Sequence, residues 1–254
     1  MATYVLVHGG GHGGWCYQRV AMLLRAQGHL VYTPTLTGVG ERVHLLSPQV
    51  DLDLHIEEIA KLLWYEDLHQ VILVGHGYGG MVITGAADRA PKRVGHLLYL
   101  DAPTPSNGQS LSDITPMITV LRRDTEVFKG IELCCIPSVD LLPYWGVVDP
   151  AVIEWMFKRL TPHPWRCFEQ PLQLAREDAL RAIPQTHVIS TLASTCCDID
   201  RLRELARGRL WQLQTGHDMM LTEPELVAEK LVATLEWLPD YRAITPRPKT
   251  TNER

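Results

Sequence analysis

A single α/β domain built on a doubly wound, mainly parallel sheet is the fold class this sequence predicts, and three observations predict it. Short β-branched apolar runs alternate with amphipathic helical spacings. A glycine-rich turn joins one such run directly to a helix. The length of 254 residues suits one domain with a modest insertion.

The candidate strands are Tyr4–Val7, Leu30–Tyr32, Val71–Val74, Leu97–Leu100, His187–Leu192 and Leu210–Leu213, about six in all. Each is bounded by Gly, Pro or polar clusters and is too short for a buried helix. Between them Gln18–Gln27, His55–Trp64, Met81–Arg89 and Pro224–Trp237 repeat apolar residues every three to four positions, the spacing of amphipathic helices. Apolar strands alternating with such helices imply a sheet covered on both faces.

From 103 to 183 the rhythm breaks into a stretch rich in Pro143, Tyr144, Trp145, Trp155, Met156, Phe157, Trp165 and Phe168. An insertion of that length between two sheet strands, laid over the carboxyl edge, would roof a binding crevice. A mostly helical cap is expected there, with 1–102 and 184–238 forming the core. Trp145, Trp155, Met156 and Trp165 are its candidate substrate contacts, and they point to a bulky, largely apolar small molecule. Residues 239–254 are proline-rich and polar and are expected to be a flexible tail.

Composition narrows the function classes. With 46% hydrophobic and 21% charged residues the chain reads as an ordinary globular protein, and a net charge of −5 argues against a nucleic-acid partner. No apolar run reaches the ~18–20 residues that span a bilayer, so no membrane association is expected. A strand-like segment begins at Tyr4, so no secretory leader and a cytoplasmic location are expected. Cys16, Cys134, Cys135, Cys167, Cys196 and Cys197 lack the spacing of zinc or dithiol motifs and are expected to be free thiols. No metal constellation or dinucleotide fingerprint stands out, so no cofactor is expected.

The most specific segment is 71–85, VILVGHGYGGMVITG. Four β-formers lead into Gly75-His76-Gly77-Tyr78-Gly79, and a helical pattern follows. That is a G-x-S-x-G nucleophile elbow in its strand–turn–helix context, with Gly77 where the serine belongs. A phosphate-binding loop would need GxGxxG spacing or a Lys-Ser/Thr pair, and neither is present.

Around this elbow the sequence resembles a known family. His8-Gly9-Gly10-Gly11-His12-Gly13-Gly14-Trp15 is similar to the oxyanion-loop motif of the hydroxynitrile lyase and plant methylesterase branch of the α/β-hydrolases. Thr35-Leu36-Thr37-Gly38-Val39-Gly40-Glu41-Arg42, the elbow, Tyr99-Leu100-Asp101-Ala102-Pro103 and Thr215-Gly216-His217-Asp218 resemble bacterial esterases of the same branch. The resemblance runs in family order over nearly the whole chain and implies an α/β-hydrolase fold. It also implies that the backbone N–H groups of Gly10 and Tyr78 form an oxyanion hole and that His217 is the general base. Asp101 is the preferred acid to orient His217, and Asp198 is the alternative. Relatives of this kind suggest a homodimer.

Glycine at 77 removes the oxygen on which an acyl-enzyme would form. Loss of such a hydroxyl in a serine protease costs on the order of a millionfold in turnover, leaving ~10³–10⁴ over water. Three readings follow. The chain is an ester or lactone hydrolase scaffold without its nucleophile. Alternatively, it is a non-hydrolytic enzyme (lyase, cyclase or cofactor-free oxygenase) that uses His217 and the oxyanion hole. The third reading is a small-molecule receptor without catalysis.

Overall fold

Apolar runs that can bury both faces dictate the central sheet. In a computed structural model of the chain, which describes residues 1–122, 125–136, 142–193 and 198–238, the core begins with β1 (Thr3–Val7), α1 (Gln18–Ala26) and β2 (Leu30–Tyr32). It continues through α2 (Leu52–Tyr65), β3 (Val71–His76), α3 (Gly79–Arg89) and β4 (Val94–Leu100). The chain then leaves the sheet for α4 (Leu111–Ile114), α5 (Pro116–Leu121), β5 (Thr125–Phe128) and β6 (Ile131–Cys134). The same excursion holds α6 (Leu142–Trp145), α7 (Pro150–Phe157), β7 (His163–Pro164), α8 (Arg166–Glu169) and α9 (Glu177–Ala182). It rejoins the sheet through β8 (Gln185–Ser190), α10 (Ile199–Leu205) and β9 (Leu210–Leu213), and closes with α11 (Met219–Thr222) and α12 (Pro224–Ala233).

The main sheet has six strands in the order β2-β1-β3-β4-β8-β9, and every neighbouring pair is parallel. All six residues of β3 are buried, as a central strand covered on both faces requires. Each Leu, Ile or Val buried there contributes about 2 kcal/mol of hydrophobic stabilisation. Right-handed crossovers send α1 to one face and α2 and α3 to the other. The packing agrees, since α1 lies against α12 and α2 against α3. Asp51 starts α2 by accepting a hydrogen bond from the Leu54 N–H at 2.9 Å.

Strand order reverses between β1 and β3, so the loops after these two strands diverge and leave a crevice at the carboxyl edge of the sheet. The glycine-rich loop 8–14 and the 75–79 elbow occupy that position.

Several details differ from the sequence pattern. The strand expected over His187–Leu192 lies instead over Gln185–Ser190, because Thr191 and Leu192 turn to donate N–H bonds to Leu213 and Thr215. The helix expected over Pro224–Trp237 is α-helical only to Ala233 and tightens into a 3₁₀ turn over Thr234–Trp237. Alongside its short helices, the segment between β4 and β8 carries a three-stranded antiparallel sheet, β5-β6-β7, that sequence periodicity did not indicate. Cys16, Cys134, Cys135 and Cys167 are unbridged, whereas Cys196, Cys197 and the 239–254 tail lie outside the described residues. Among the described residues no helix is long and apolar enough to cross a membrane.

Candidate active site

The elbow is held by close backbone contacts that only glycine allows. A Cβ on Gly75 would lie 2.5 Å from the Gly79 carbonyl oxygen, and one on Gly79 would lie 2.6 Å from that of Val7. Between them Gly77 adopts φ +48°, the left-handed region in which an L side chain is strained by about 1–2 kcal/mol. The Gly80 and Met81 amides donate to the carbonyls of Gly77 and Tyr78 and so start α3. A Cβ at Gly77 would point at His217, 3.1 Å from its Nε2. The position that usually carries the nucleophile therefore faces an imidazole nitrogen, with no side chain between them.

His217 is fixed from four directions. Its N–H donates to Tyr144 O at 3.1 Å, and its carbonyl accepts from His76 Nε2 at 3.0 Å. The Tyr144 ring leans over the imidazole with centroids 4.9 Å apart, its hydroxyl 3.4 Å from Nδ1. On the same edge Nδ1 lies 2.6 Å from Asp101 Oδ2. A Nδ1–H that donates to this carboxylate leaves the Nε2 lone pair facing Gly77, the tautomer a general base needs. Burial alone would lower the His217 pKa, but the Asp101 hydrogen bond and charge, helped by Asp218, outweigh it and raise the value above that of ordinary histidine.

Asp101 is itself restrained. It sits just past β4 at φ +44°, and its carboxylate accepts from Ser190 N at 2.9 Å and Ser190 Oγ at 3.2 Å. The end of β8 thus supplies a serine that clamps an aspartate delivered by β4. Asp198, the alternative acid, is exposed at the start of α10, where its Oδ1 accepts from Arg201 N at 3.0 Å. The structure places Asp101, and not Asp198, against His217.

The two histidines that flank the glycine turns hold loops together. His12 reaches Gly10 O at 2.8 Å through Nδ1 and Asp218 Oδ2 at 3.2 Å through Nε2, tying the loop after β1 to the His217 loop. Burial would push the Asp218 carboxyl up, yet the His12 imidazole beside it, by charge and hydrogen bond, and His217 hold it below the usual range. Where α6 meets this loop, Gly146 and Gly216 touch backbone to backbone; a Cβ on Gly216 would lie 2.4 Å from Gly146 Cα.

A cavity of about 100 Å³ opens over Gly77, lined by Gly10, Tyr78, Asp101 and His217 from the core. Leu111, Ile118, Ile136, Trp145 and Phe168 line it from the segment between β4 and β8. Gly10 and Tyr78 both border this cavity, and neither amide N–H has a protein acceptor among the described residues. Of the four aromatic and thioether side chains expected at the substrate, Trp145 is in the lining. Trp155, Met156 and Trp165 are outside it: Trp155 packs edge-on to Trp15, Met156 is fully buried, and Trp165 lies against Phe168 under Arg122. Periodicity marks these residues as apolar but does not tell which wall they fill.

Tyr144 and Ser190 are the site residues that the sequence reading did not single out. Both act through geometry made by distant segments, and neither carries a motif. Two clusters of metal-ligating side chains occur among the described residues, His55–His163–Cys167 and His76–His217–Asp218. In the first, both nitrogens of His55 are engaged, by Tyr78 Oη at 2.9 Å and Thr37 O at 2.8 Å, and His163 Nδ1 accepts from Gly11 N at 3.2 Å. These bonds support Tyr78 and the loop after β1 without an ion.

Comparison with known proteins places this geometry in context. Residues 4–230 match the alpha/beta hydrolase family. A carbendazim hydrolyzing esterase from Nocardioides sp. (strain SG-4G) is 37% identical over 247 residues, covering 92% of this chain and 99% of that one. Among solved structures, an extracellular alpha/beta-hydrolase from a Paenibacillus species superposes with a TM-score of 0.76 at 22% identity, over 92% of this chain and 98% of its own. A methylesterase from Arabidopsis gives a TM-score of 0.73 at 23% identity, over 94% and 100% of the two chains.

Proposed function

The chain belongs to the alpha/beta hydrolase family, and from that premise we propose that it binds carboxylic esters or lactones of bulky, largely apolar groups and hydrolyses them slowly by direct attack of water. The observation that carries this reading is the 3.1 Å between the Cβ position at Gly77 and His217 Nε2, with Asp101 behind the same ring. In this assignment Gly10, Tyr78, His217 and Asp101 supply what acyl transfer needs, and only the hydroxyl is missing.

In the proposed reaction the ester carbonyl oxygen points at the amides of Gly10 and Tyr78, which stabilise negative charge as it develops. A water in the space beside Gly77 attacks the carbonyl carbon while His217 Nε2 takes its proton. Asp101 stabilises the imidazolium. The tetrahedral intermediate then expels the alkoxide, which recovers that proton from His217, and the carboxylic acid and alcohol depart. The segment 103–183 serves as the cap that covers this chemistry. Likeness to an esterase named for carbendazim hydrolysis supports including carbendazim in a substrate panel.

The test is Gly77→Ser on aryl esters, alkyl esters, lactones and carbendazim. A serine oxygen reaching Nε2 should raise kcat by roughly 10³-fold or more, since the lost nucleophile is worth about that much or greater. No gain would sink the esterase reading. A second reading rests on the same geometry: with no oxygen at 77, a substrate carbon beside a carbonyl can sit directly at Nε2. His217 would then abstract a proton and the same amides would hold the enolate. In that case Gly77→Ser lowers activity, whereas His217→Ala abolishes it under either reading.

A further inference from the structure

The cavity above Gly77 is small, about 100 Å³, and its walls leave little room beyond the scissile group. A second cavity of about 440 Å³ lies beside it, under α10 and along β8. The two share Asp101, Pro103, Thr115 and Tyr144 as lining residues, so a molecule with its carbonyl over Gly77 needs only to pass this partition to enter the larger space.

The larger cavity has a built interior. Ile114, Val188, Leu202 and Leu205 give it apolar walls. Within them His187, only 1% exposed, lies parallel to the Tyr99 ring with centroids 4.9 Å apart. Its Nε2 has no hydrogen-bond partner among the described residues. Burial pushes the His187 pKa down to about 4, so at neutral pH the ring is uncharged and keeps one donor and one acceptor nitrogen. Buried polar atoms normally find partners, and because His187 lines the cavity a guest there is the partner this ring lacks. Asp198 and Arg201 also line the cavity, but both are exposed, and around the buried, uncharged imidazole the apolar walls favour a neutral guest over an ion.

We propose that this chamber binds the bulky half of the substrate, a neutral, ring-sized apolar group carrying a hydrogen-bonding heteroatom that meets His187. Its role in catalysis rests on the esterase reading; the binding itself does not. Tyr144 then acts at two levels, as the wall against His217 and as the partition between the chambers.

The experiment uses 2-naphthol and naphthalene as probes on the full chain, with binding followed by tryptophan fluorescence. From α10, Leu202→Trp fills the chamber, whose lining includes neither Gly77 nor His217, and His187→Phe keeps the ring while removing its nitrogens. The proposal expects one 2-naphthol per chain, weakened at least tenfold by Leu202→Trp. His187→Phe should weaken 2-naphthol several-fold and leave naphthalene unchanged. Equal 2-naphthol affinity in wild type and Leu202→Trp overturns it, as does an unchanged naphthol-to-naphthalene preference in His187→Phe. Unaltered thermal melting establishes that each variant is folded. In the Gly77→Ser background, Leu202→Trp should lower kcat/KM for 2-naphthyl acetate at least tenfold relative to methyl acetate. If Gly77→Ser turns over no ester yet 2-naphthol binds as described, the esterase reading fails and the chamber stands. If esters turn over and Leu202→Trp leaves their ranking unchanged, the chamber fails and the esterase reading stands.

Discussion

At the scale of single residues the site is governed by one pair. The 2.6 Å contact between His217 Nδ1 and Asp101 raises the histidine pKa against the pull of burial. A general base must be neutral, so activity should climb with pH through a midpoint above ~6.5, the ordinary histidine value. Asp101→Asn removes the charge that lifts this pKa. In the Gly77→Ser enzyme it should move the rising limb of the pH–kcat/KM profile downward and lower kcat by about 10²–10⁴, by analogy with the serine-protease triad. A profile that Asp101→Asn leaves in place would show that Asp101 does not orient His217. His217 was identifiable from its Gly-His-Asp context, and Asp101 only as one of two carboxylates. The choice between them needed Ser190, which lies 89 residues further along the chain and binds both oxygens of Asp101.

At the scale of elements the decisive unit is the β3–α3 elbow. Its glycines are visible in sequence as GHGYGG, and the structure supplies the reason for each in a specific backbone contact. Gly75→Ala would drive a methyl group to 2.5 Å from the Gly79 carbonyl, an overlap that neither strand nor helix can relieve by turning a side chain. The expected destabilisation is about 3 kcal/mol, the upper range for overpacking, which lowers Tm by roughly 6–12 °C in a chain of this size. Thermal unfolding followed by circular dichroism would decide it, and an unchanged Tm would mean that the elbow can spread. The excursion between β4 and β8 behaves differently. Its short helices and β5-β6-β7 sheet are stabilised by contacts with the core, including the Thr161 hydroxyl that accepts from Gly40 N at 2.8 Å. Local periodicity carries little information about such segments.

At the scale of the whole molecule an unusual number of histidines are buried uncharged. Burial pushes His8, His76 and His96 down to about 3 and His187 to about 4, and it also lowers His55 and His163. In the unfolded chain these rings titrate near 6.5. Below that value the unfolded state binds protons that the native state refuses, so stability falls as pH drops from ~6.5 toward the depressed native values. Each group contributes up to about 1.4 kcal/mol per pH unit in that window, and two alone would remove about 3 kcal/mol per unit. His217 has the opposite sign: its raised pKa adds stability below ~6.5 that is lost as pH rises through the native value. One such group offsets only a fraction of the others. Urea unfolding at pH 7.5 and pH 5 should therefore show a clearly lower midpoint in acid. Equal midpoints would mean that these histidines are hydrated in the native state.

The alternating α/β order, the parallel sheet, the elbow with glycine at 77 and the Gly-His-Asp motif at His217 were all legible from the residues alone. These features are written locally, in apolar spacing that suits one secondary structure and in glycines that one turn demands. The three-dimensional packing was needed to show which aspartate meets His217, that Tyr144 covers it, that Trp155, Met156 and Trp165 pack away from the cavity, and that a larger chamber adjoins the small one. Each of these depends on segments far apart in the chain meeting at one edge of the sheet. No residue pattern encodes that meeting, because it is set by strand order and by how the excursion after β4 folds back over the core.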